Sequence, residues 1–160
     1  MVDVVDKATR SQMMAGIRGK NTKPELVIRS ALHRRGLRFK LHDSLLPGKP
    51  DLVLPKYNTV VFIHGCFWHR HECQHFKWPQ SNKAFWRAKL QGNARRDILT
   101  LDNLRNLGWR VCVLWECGYK QRTSGVIDRI HDRIAKWIRS SDGRKGKSWA
   151  NLEIPSTPTR

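Results

Sequence analysis

The feature that most restricts the fold of this 160-residue chain is a short segment crowded with cysteine and histidine. It reads His-Gly-Cys-Phe-Trp-His-Arg-His-Glu-Cys-Gln-His and runs from His64 to His75. One further cysteine, Cys117, follows a strand-like stretch, with 43 residues between it and Cys73. Thiolates and imidazoles are the ligands that a tetrahedral zinc site prefers. The sequence therefore predicts a structural zinc ion that ties a long loop to a distant strand.

The cysteine ligands of this site are better defined than its histidine. Cys66 and Cys73 both lie in the segment, and Cys117 supplies a third thiolate. The remaining cysteine, Cys112, lies within Val-Cys-Val-Leu, where a small buried core residue is the simpler interpretation. Spacing alone leaves three candidates for the histidine ligand: His69, His71 and His75.

Positive charge dominates the composition. Lysine and arginine number 31 against 13 aspartate and glutamate residues, which gives a net charge of +18. The excess is present in residues 1–40, 41–119 and 120–160, so it is not confined to a tail. This distribution favours a nucleic-acid partner, because basic side chains neutralise phosphates and release counterions. A ribosomal role or general solubility is the alternative, whereas no helix has the basic and apolar faces of a membrane-surface binder.

The length suits one domain with a single core. The longest apolar stretch, residues 52–66, is interrupted by polar side chains, whereas a membrane-spanning helix needs about 20 apolar residues in a row. No secretory signal opens the chain, so we expect a cytoplasmic protein without a membrane partner. In that compartment we expect cysteines in metal or core roles rather than in disulfides.

Hydrophobic periodicity predicts an α/β fold in which one mixed β-sheet is flanked by helices. In the first helix, Thr22 and Glu25 form a capping-box pattern, and the apolar stripe includes Leu26 and Val27. The predicted helices are 22–35, 84–91, 94–107 and 123–139, and the predicted strands are 37–41, 51–54, 60–64 and 109–115.

The chain divides into three regions. Residues 1–20 are polar and basic, with one weak helical turn, and we expect an arm that orders on a partner. Residues 21–140 contain all the strong elements and form the folded domain. Residues 141–160 are rich in glycine, serine, lysine and proline, which predicts a disordered basic tail.

A second candidate site lies where two predicted strands meet. Asp51 stands at the start of one strand, and the next strand ends at His64. A carboxylate beside the last carbonyl of a neighbouring strand forms a hard-oxygen site that suits magnesium. The acidic residues also have simpler interpretations. Asp51 can be a turn residue, Glu25 the capping partner in its helix, and Asp97 an exposed helix charge.

A third signal comes from aromatic side chains outside the regular core pattern. Phe67 and Trp68 lie in the loop beside the cysteines, and Trp86 lies in a basic helix. Exposed aromatic rings on a cationic protein suit base stacking or insertion between base steps. These three residues are therefore candidates for contact with nucleic acid.

Several motifs occur together in one order along the chain. They are Asp6-Lys-Ala-Thr-Arg-Ser-Gln-Met-Met14, Pro50-Asp51, Phe62-Ile-His-Gly-Cys-Phe-Trp-His69, Asn93-Ala-Arg-Arg-Asp97, Leu107-Gly-Trp-Arg-Val111 and Trp115-Glu-Cys117. In this combination the chain resembles the very short patch repair endonucleases of bacteria, the Vsr family, from about residue 6 to residue 140. The tail lies outside the resemblance.

The resemblance implies a restriction-endonuclease-like fold with a structural zinc site. It also implies a strand-specific DNA mismatch endonuclease that hydrolyses the phosphodiester with magnesium. Such an enzyme nicks 5′ to the thymine of a T:G mismatch, which arises when 5-methylcytosine deaminates. Residues 1–20 then become a DNA-contacting arm and residues 21–140 the endonuclease domain.

Several partners follow from the resemblance. Double-stranded DNA with a T:G mismatch is the substrate, and mismatch-repair proteins and a DNA polymerase act downstream. We expect a monomer, because a nick in one strand needs no symmetric partner. We expect it in the bacterial cytoplasm, associated with the nucleoid.

The resemblance also assigns a catalytic centre. Asp51 binds magnesium together with the backbone carbonyl of Ile63, at a position where the family is expected to have threonine. His69 is the general base or acid for the attacking water, and His64 is a second histidine on the phosphate side. Glu25 positions metal-bound water, and Asp97 positions a catalytic imidazole.

Zinc and DNA contacts are implied in the same way. The zinc ligands are Cys66, His71, Cys73 and Cys117, so the resemblance selects one of the three candidate histidines. Three aromatic residues wedge into the duplex beside the mismatch, and one methionine approaches from the minor groove: Phe67, Trp68, Trp86 and Met14.

Two other functions are compatible with the same sequence. One is a zinc-stabilised module that binds distorted DNA without cutting it. Asp51 with His64 and His69 disfavours that function, because binding alone has no need of a buried acid beside two histidines. The other is a general endonuclease of the same fold, which the aromatic wedge disfavours.

Overall fold

The computed structural model describes residues 6–16, 19–120, 122–140 and 152–154. The helices of this part of the chain are α1 (Lys7–Ala15), α2 (Lys23–Arg34), α3 (Lys83–Asn106) and α4 (Ser124–Arg139). The strands are β1 (Lys40–Leu41), β2 (Leu52–Leu54), β3 (Thr59–His64), β4 (Arg110–Trp115) and β5 (Leu152–Ile154). None of the described helices is both long enough and apolar enough to cross a membrane.

The strands form one five-stranded sheet in the order β1-β2-β3-β4-β5. Neighbours are antiparallel from β1 to β3, whereas β4 runs parallel to both β3 and β5. Helix α3 makes the crossover from β3 to β4 that a parallel pair requires. Leu52 lies opposite Val61, and His64 lies opposite Trp115, so β2 begins where β3 and β4 end. The predicted mixed sheet is therefore confirmed.

Helices cover both faces of this sheet. On one face, Ile28 of α2 and Ile134 of α4 pack on Val61 of β3 in the larger core cluster. On the other face, Leu104 of α3 packs on Phe62 of β3. Burial of apolar surface on both faces stabilises the sheet and fixes the edge where β2 begins.

Helix α2 begins as the sequence predicts. Thr22 is its N-cap, and its side-chain oxygen accepts a hydrogen bond from the backbone N–H of Glu25 at 3.5 Å. The predicted stripe is partly wrong, because Leu26 and Val27 are 52% and 45% exposed. The buried stripe passes through Ile28 and includes the carboxylate of Glu25, which is 3% exposed. A polar side chain with its own partners therefore shares the inward face of this helix.

Helix α3 is continuous, whereas the sequence predicted two helices that meet near Gly92. Glycine in a helix interior costs only about 1 kcal/mol relative to alanine. That cost does not end a helix that is anchored on both sides of the glycine by buried Leu90 and Leu104. The two-helix prediction is wrong because tertiary packing outweighs this local preference.

The tail and the arm both contain more regular structure than predicted. The sequence predicted disorder over residues 141–160. This prediction is wrong for Leu152–Ile154, which pair in parallel with β4 and bury Ile154. The other tail residues lie outside the described residues. Helix α1 is longer than the single turn predicted for the arm. It includes Met14, whose side chain also lies outside the described part of the structure.

Helix α4 carries a buried histidine that has no evident role in the core. His131 is 2% exposed and, among the described residues, neither of its ring nitrogens has a hydrogen-bond partner. Burial lowers the pKa of His131 from 6.5, so the unfolded chain binds the proton more readily than the folded protein. Stability is therefore lost as the pH falls below 6.5.

We expect His131→Leu to raise the free energy of unfolding by about 1 kcal/mol, because it removes two unpaired buried nitrogens. We also expect a smaller loss of stability in acid. Urea denaturation at about pH 5 and about pH 8 measures both effects. His33→Gln, on the exposed surface of α2, is the matched control. A His131→Leu variant less stable than the wild type at the acidic pH would contradict this account.

Candidate active site and metal centre

A cleft of about 590 Å³ opens at the sheet edge where β2 begins and β3 ends. The start of α2 forms one wall, and the middle of α3 forms the opposite wall. The structure brings together all five predicted catalytic residues in the lining of this cleft: Glu25, Asp51, His64, His69 and Asp97.

Asp51 lies at the floor of the cleft, directly before β2. Its Oδ2 accepts a hydrogen bond from the backbone N–H of Ile63 at 2.7 Å, so the carboxylate is tied to the end of β3. Burial raises the pKa of Asp51 to about 6. Burial destabilises the charged form of a carboxyl group, and a bound cation stabilises that form in place of the lost water.

The loop before Asp51 depends on Gly48. This residue has a φ of +72°, and a Cβ added there would collide with the side chain of Thr100 on α3. Glycine therefore allows the loop to approach α3 closely. Pro50, which follows in the same loop, is buried. These contacts hold Asp51 between the two walls of the cleft.

Two histidines and an aspartate form the opposite side of the cleft. The rings of His64 and His69 are stacked, with centroids 3.7 Å apart and planes 3° from parallel. His69 Nδ1 lies 2.6 Å from Asp97 Oδ2, so Asp97 faces the cleft rather than a neighbouring arginine. In the neutral ring an Nδ1–H donated to this carboxylate leaves the lone pair on Nε2.

His64 differs from His69 in its surroundings. It is 6% exposed, and its Nδ1 has no hydrogen-bond partner among the described residues. Burial, and then the neighbouring His69, lower the pKa of His64 well below its ordinary value. His64 is therefore a neutral ring that supports His69 by stacking.

The cysteine and histidine segment folds against the turn after β4. Cys117 Sγ lies 3.5 Å from His71 Nδ1, and the backbone N–H of Cys117 lies 3.3 Å from Cys66 Sγ. The four ligand atoms of this cluster lie within 4.8 Å of one another: those of Cys66, His71, Cys73 and Cys117. This cluster could hold a metal ion.

The chemistry of the cluster fits zinc. Its three cysteines are free, although their sulfur atoms lie close together. Burial raises the pKa of the Cys66 thiol, so without a cation the buried group stays protonated. A soft divalent ion that displaces these protons satisfies all four groups at once. Cys112 is fully buried in the core, as predicted.

The other two candidate histidines have different surroundings. His69 is paired with Asp97, and His75 contacts the side chain of Gln74. Only His71 lies with the cysteines in the cluster found among the described residues. Its ring stacks on Trp115 with centroids 4.1 Å apart, which orients it at the end of β4.

The aromatic rim, a cluster of Phe67, Trp68 and Trp86, meets the cleft at Trp68. The ring centroid of Phe67 lies 5.1 Å from that of Trp68 and 5.4 Å from that of Trp86. The Lys89 ammonium group lies 5.5 Å from the ring centroids of both tryptophans. Asn93 donates a hydrogen bond to the Trp68 carbonyl at 2.8 Å, which ties the loop to α3. The three predicted aromatic residues therefore form one half-buried surface.

Sequence reasoning missed two residues of the cleft region. Arg29 is 9% exposed and lies 2.7 Å from Glu25 and 2.8 Å from the ring of His42. His42 Nδ1 in turn lies 3.7 Å from Asp51 Oδ1. The spacing of Glu25 and Arg29 is that of an ion pair on one helix face. No sequence pattern indicated His42, because its position depends on the pairing of β1 with β2.

Comparison with known proteins identifies the family. A sequence model described as DNA mismatch endonuclease Vsr matches residues 2–75. The chain is 42% identical over 138 residues to the DNA mismatch endonuclease Vsr of Escherichia coli strain K12, covering 86% of this chain and 88% of that protein. The chain belongs to the Vsr family. The family resemblance of its sequence motifs is thereby confirmed.

This Vsr family member also matches enzymes described as type II nicking enzymes. It is 44% identical over 140 residues to V.NmeAIP of Neisseria meningitidis, covering 84% of this chain and 100% of that enzyme. It is 44% identical over 117 residues to V.XorIIP of Xanthomonas oryzae, covering 73% of this chain and 86% of that enzyme.

Proposed function

We propose that this Vsr family member is a DNA mismatch endonuclease that nicks one strand 5′ to the thymine of a T:G mismatch. One observation carries the proposal: Asp51 and the His69–Asp97 pair line the same cleft, together with Trp68 of the aromatic rim. The acid and the paired histidine supply hydrolytic chemistry, and the rim supplies contact with unstacked bases. The family relationship supports the same function.

The proposed substrate is double-stranded DNA in which 5-methylcytosine has deaminated. The net charge of +18 favours binding to its phosphates. The aromatic wedge is formed by Phe67, Trp68 and Trp86. Its insertion beside the mismatch costs about a few kcal/mol for each base step that it unstacks. A T:G step resists this deformation less than a paired step, so deformability contributes to selection. Met14 is proposed to approach from the minor groove.

The cleft fits a divalent cation of the magnesium type. Asp51 and Glu25 supply hard carboxylate oxygens, and burial of Asp51 favours a bound positive charge. We assign the ion to the Asp51 carboxylate and the backbone carbonyl of Ile63. An ion held by these two groups would supply positive charge to the phosphate and to the leaving oxygen. The Ile63 side chain packs toward the core, and a carbonyl ligand does not depend on it.

His69 moves the proton in this proposal. Asp97 holds Nδ1–H, so Nε2 accepts the proton of the attacking water. His64 stacks on His69 and fixes the tilt of its ring. We assign it as the second histidine, on the phosphate side. Glu25 accepts a hydrogen bond from the backbone N–H of Asn21 at the start of α2. We assign it to the positioning of water beside the cation.

Zinc has a structural role in this proposal. The four ligands of the cluster, Cys66, His71, Cys73 and Cys117, are all protein groups, so no position is left for substrate. The ion ties the loop after β3 to the turn after β4. The same loop carries Phe67, Trp68 and His69, and a bound zinc ion would thereby position these three side chains.

Other features are assigned within the same proposal. The sheet covered by helices on both faces supports a restriction-endonuclease-like fold. Residues 1–20 are a DNA-contacting arm, residues 21–140 the endonuclease domain, and residues 141–160 a basic tail. The enzyme acts as a monomer in the bacterial cytoplasm at the nucleoid, upstream of mismatch-repair proteins and a DNA polymerase.

Replacing Asp97 with asparagine tests the proton-transfer role. We expect kcat to fall by about 10²- to 10⁴-fold, because an amide can stabilise the wrong His69 tautomer and does not stabilise its protonated ring. Affinity for T:G DNA in chelator is expected to stay unchanged. Single-turnover nicking rates measure the effect, and Asp102→Asn, on the exposed part of α3, is the matched control. Wild-type nicking by Asp97→Asn would contradict the assignment.

Selection of the mismatch tests the proposal against a general endonuclease. We expect the wild-type protein to nick a T:G duplex much faster than a T:A duplex of the same sequence. Trp68→Ala is expected to reduce that ratio, whereas Trp109→Phe, away from the rim, is expected to keep it. Equal cutting of both duplexes by the wild type would favour the general endonuclease.

A further inference from the structure

A polar network that includes the buried side chains of Glu25 and Arg29 lies next to Asp51, along the wall of the cleft that α2 forms. Arg29 is at its centre, with Nη1 donating to Asn21 Oδ1 at 2.6 Å and Nη2 donating to Glu25 Oε2 at 2.7 Å. The same Nη2 lies 2.8 Å from Nε2 of His42. The proton transfer proposed above uses neither Arg29 nor His42, so the network needs another explanation.

The arginine fixes the tautomer of His42. A guanidinium group carries only donors and stays protonated in proteins, so the histidine nitrogen beside it must be the acceptor. Nε2 of His42 therefore carries the lone pair, and in the neutral ring the proton is on Nδ1. Nδ1 lies 3.7 Å from Asp51 Oδ1, which makes the carboxylate the group that this N–H faces. This separation is longer than a hydrogen bond, and a small rotation of the ring brings the N–H within hydrogen-bond distance of the carboxylate.

The backbone places His42 opposite Asp51. Leu41 pairs with Leu52 in the antiparallel register of β1 and β2, and the next pair outward is His42 with Asp51. The backbone N–H of His42 lies 3.4 Å from the carbonyl oxygen of Asp51. His42 also has a φ of +46°, in the left-handed region where histidine is among the more common of the non-glycine residues.

We propose that His42 is a positioning residue for the catalytic carboxylate of Asp51. The Ile63 amide of β3 donates to Oδ2, and His42 Nδ1, just after β1, lies 3.7 Å from Oδ1, so the two carboxylate oxygens face groups from two different segments. A carboxylate held in this way presents its remaining lone pairs to a cation without a cost in rotational freedom. The inference rests on the proposed role of Asp51 as a metal ligand.

Direct ligation of a cation by His42 is the alternative. Glu25, His42 and Asp51 each offer one ligand atom within 4.8 Å of the others. The guanidinium of Arg29 disfavours that arrangement, because it occupies Nε2 of His42 and places a permanent positive charge beside the ring. In the positioning role, Nε2 of His42 accepts from Arg29 and Nδ1–H faces Asp51, as the distances in the structure indicate.

Nitrogen-15 NMR of the histidine rings in the full-length protein tests the tautomer directly. The spectrum at about pH 7.5 is expected to show His42 protonated on Nδ1 and unprotonated on Nε2. The His42→Gln variant, which lacks this signal, identifies the resonance. A ring protonated on Nε2 would overturn the inference, and the tautomer itself is read from the wild-type protein.

Metal affinity tests the consequence. His42→Gly accommodates the positive φ and removes the donor, whereas His42→Gln keeps an N–H donor. With Mn²⁺ as the probe, detected by electron paramagnetic resonance, we expect about tenfold weaker binding by His42→Gly. We expect His42→Gln to recover most of the loss, and the melting temperature of both variants to show that they are folded.

Two outcomes separate the possible failures. If His42→Gly binds Mn²⁺ as tightly as the wild type while Asp51→Asn does not nick, the positioning role is wrong and the proposed function stands. If Asp51→Asn nicks like the wild type, the proposed function itself fails. Equal losses in His42→Gly and His42→Gln would also overturn the inference, because the N–H donor would then not matter.

Discussion

Replacing Asp51 with asparagine is expected to abolish nicking and, in chelator, to stabilise the folded protein. The amide keeps an oxygen for the Ile63 N–H but lacks the charge that binds a cation. We expect the nicking rate to fall by at least about 10³-fold, which corresponds to about 4 kcal/mol of lost transition-state stabilisation. Binding of T:G DNA in chelator is expected to remain.

The stability change follows from the buried carboxyl group. Burial raises the pKa of Asp51 from 3.8 to about 6, so the folded protein binds a proton at a pH where the unfolded chain has released it. Stability is therefore lost as the pH rises from about 4 to about 6 and stays lower above that range. Asp51→Asn removes this loss, and the expected gain near neutral pH is on the order of 1–3 kcal/mol.

Urea denaturation and single-turnover nicking measure the two halves of this prediction. Asp43→Asn, in the preceding loop, is the matched control, because Asp43 is not among the residues that line the cleft. Magnesium is expected to stabilise the wild-type protein and to leave Asp51→Asn unaffected. Wild-type nicking by Asp51→Asn would contradict the metal assignment, and a loss of stability in chelator would contradict the burial argument.

Loss of zinc is expected to unfold the protein. Structural zinc in small domains contributes apparent free energies of about 10–16 kcal/mol, as large as the whole stability of a typical domain at about 5–15 kcal/mol. Cys117→Ser removes the ligand that joins the turn after β4 to the loop after β3. We expect metal-free protein with little cooperative unfolding, and the same result when a strong chelator strips the wild type.

Zinc content by elemental analysis and thermal melting by circular dichroism measure this effect. Cys112→Ala is the matched control, because Cys112 is a buried cysteine outside the metal cluster. It is expected to keep its zinc and to lose only the smaller stability of a shortened core side chain. A Cys117→Ser protein that lacks zinc, melts like the wild type and nicks DNA would contradict a structural role.

The sequence predicted elements best where local signals and packing agree. The apolar runs at Val60 and Val111 form the central strands β3 and β4, and the capping box at Thr22 begins α2. The errors arose where tertiary contacts outweigh local preference. Gly92 does not break α3, and Leu152–Ile154 form a strand only because the edge of β4 is available.

The site was predictable to the extent that its residue types are unusual. Cysteines and histidines at close spacing indicated a metal cluster, and an acid at a strand end indicated the cleft. His42 and Arg29 were not predictable, because ordinary surface residue types become significant only after β1 pairs with β2 and α2 packs on the sheet. The choice of His71 over His75 likewise depends on the path of the loop.

Strand-resolved cleavage of an end-labelled duplex library tests the central claim most directly. Each duplex carries one T:G mismatch in varied flanking sequence, and the reaction is run with magnesium and with chelator. The account predicts magnesium-dependent nicks only in the thymine strand, 5′ to the mismatched thymine. Binding without cleavage in every sequence context would contradict it and would favour a module that recognises distorted DNA.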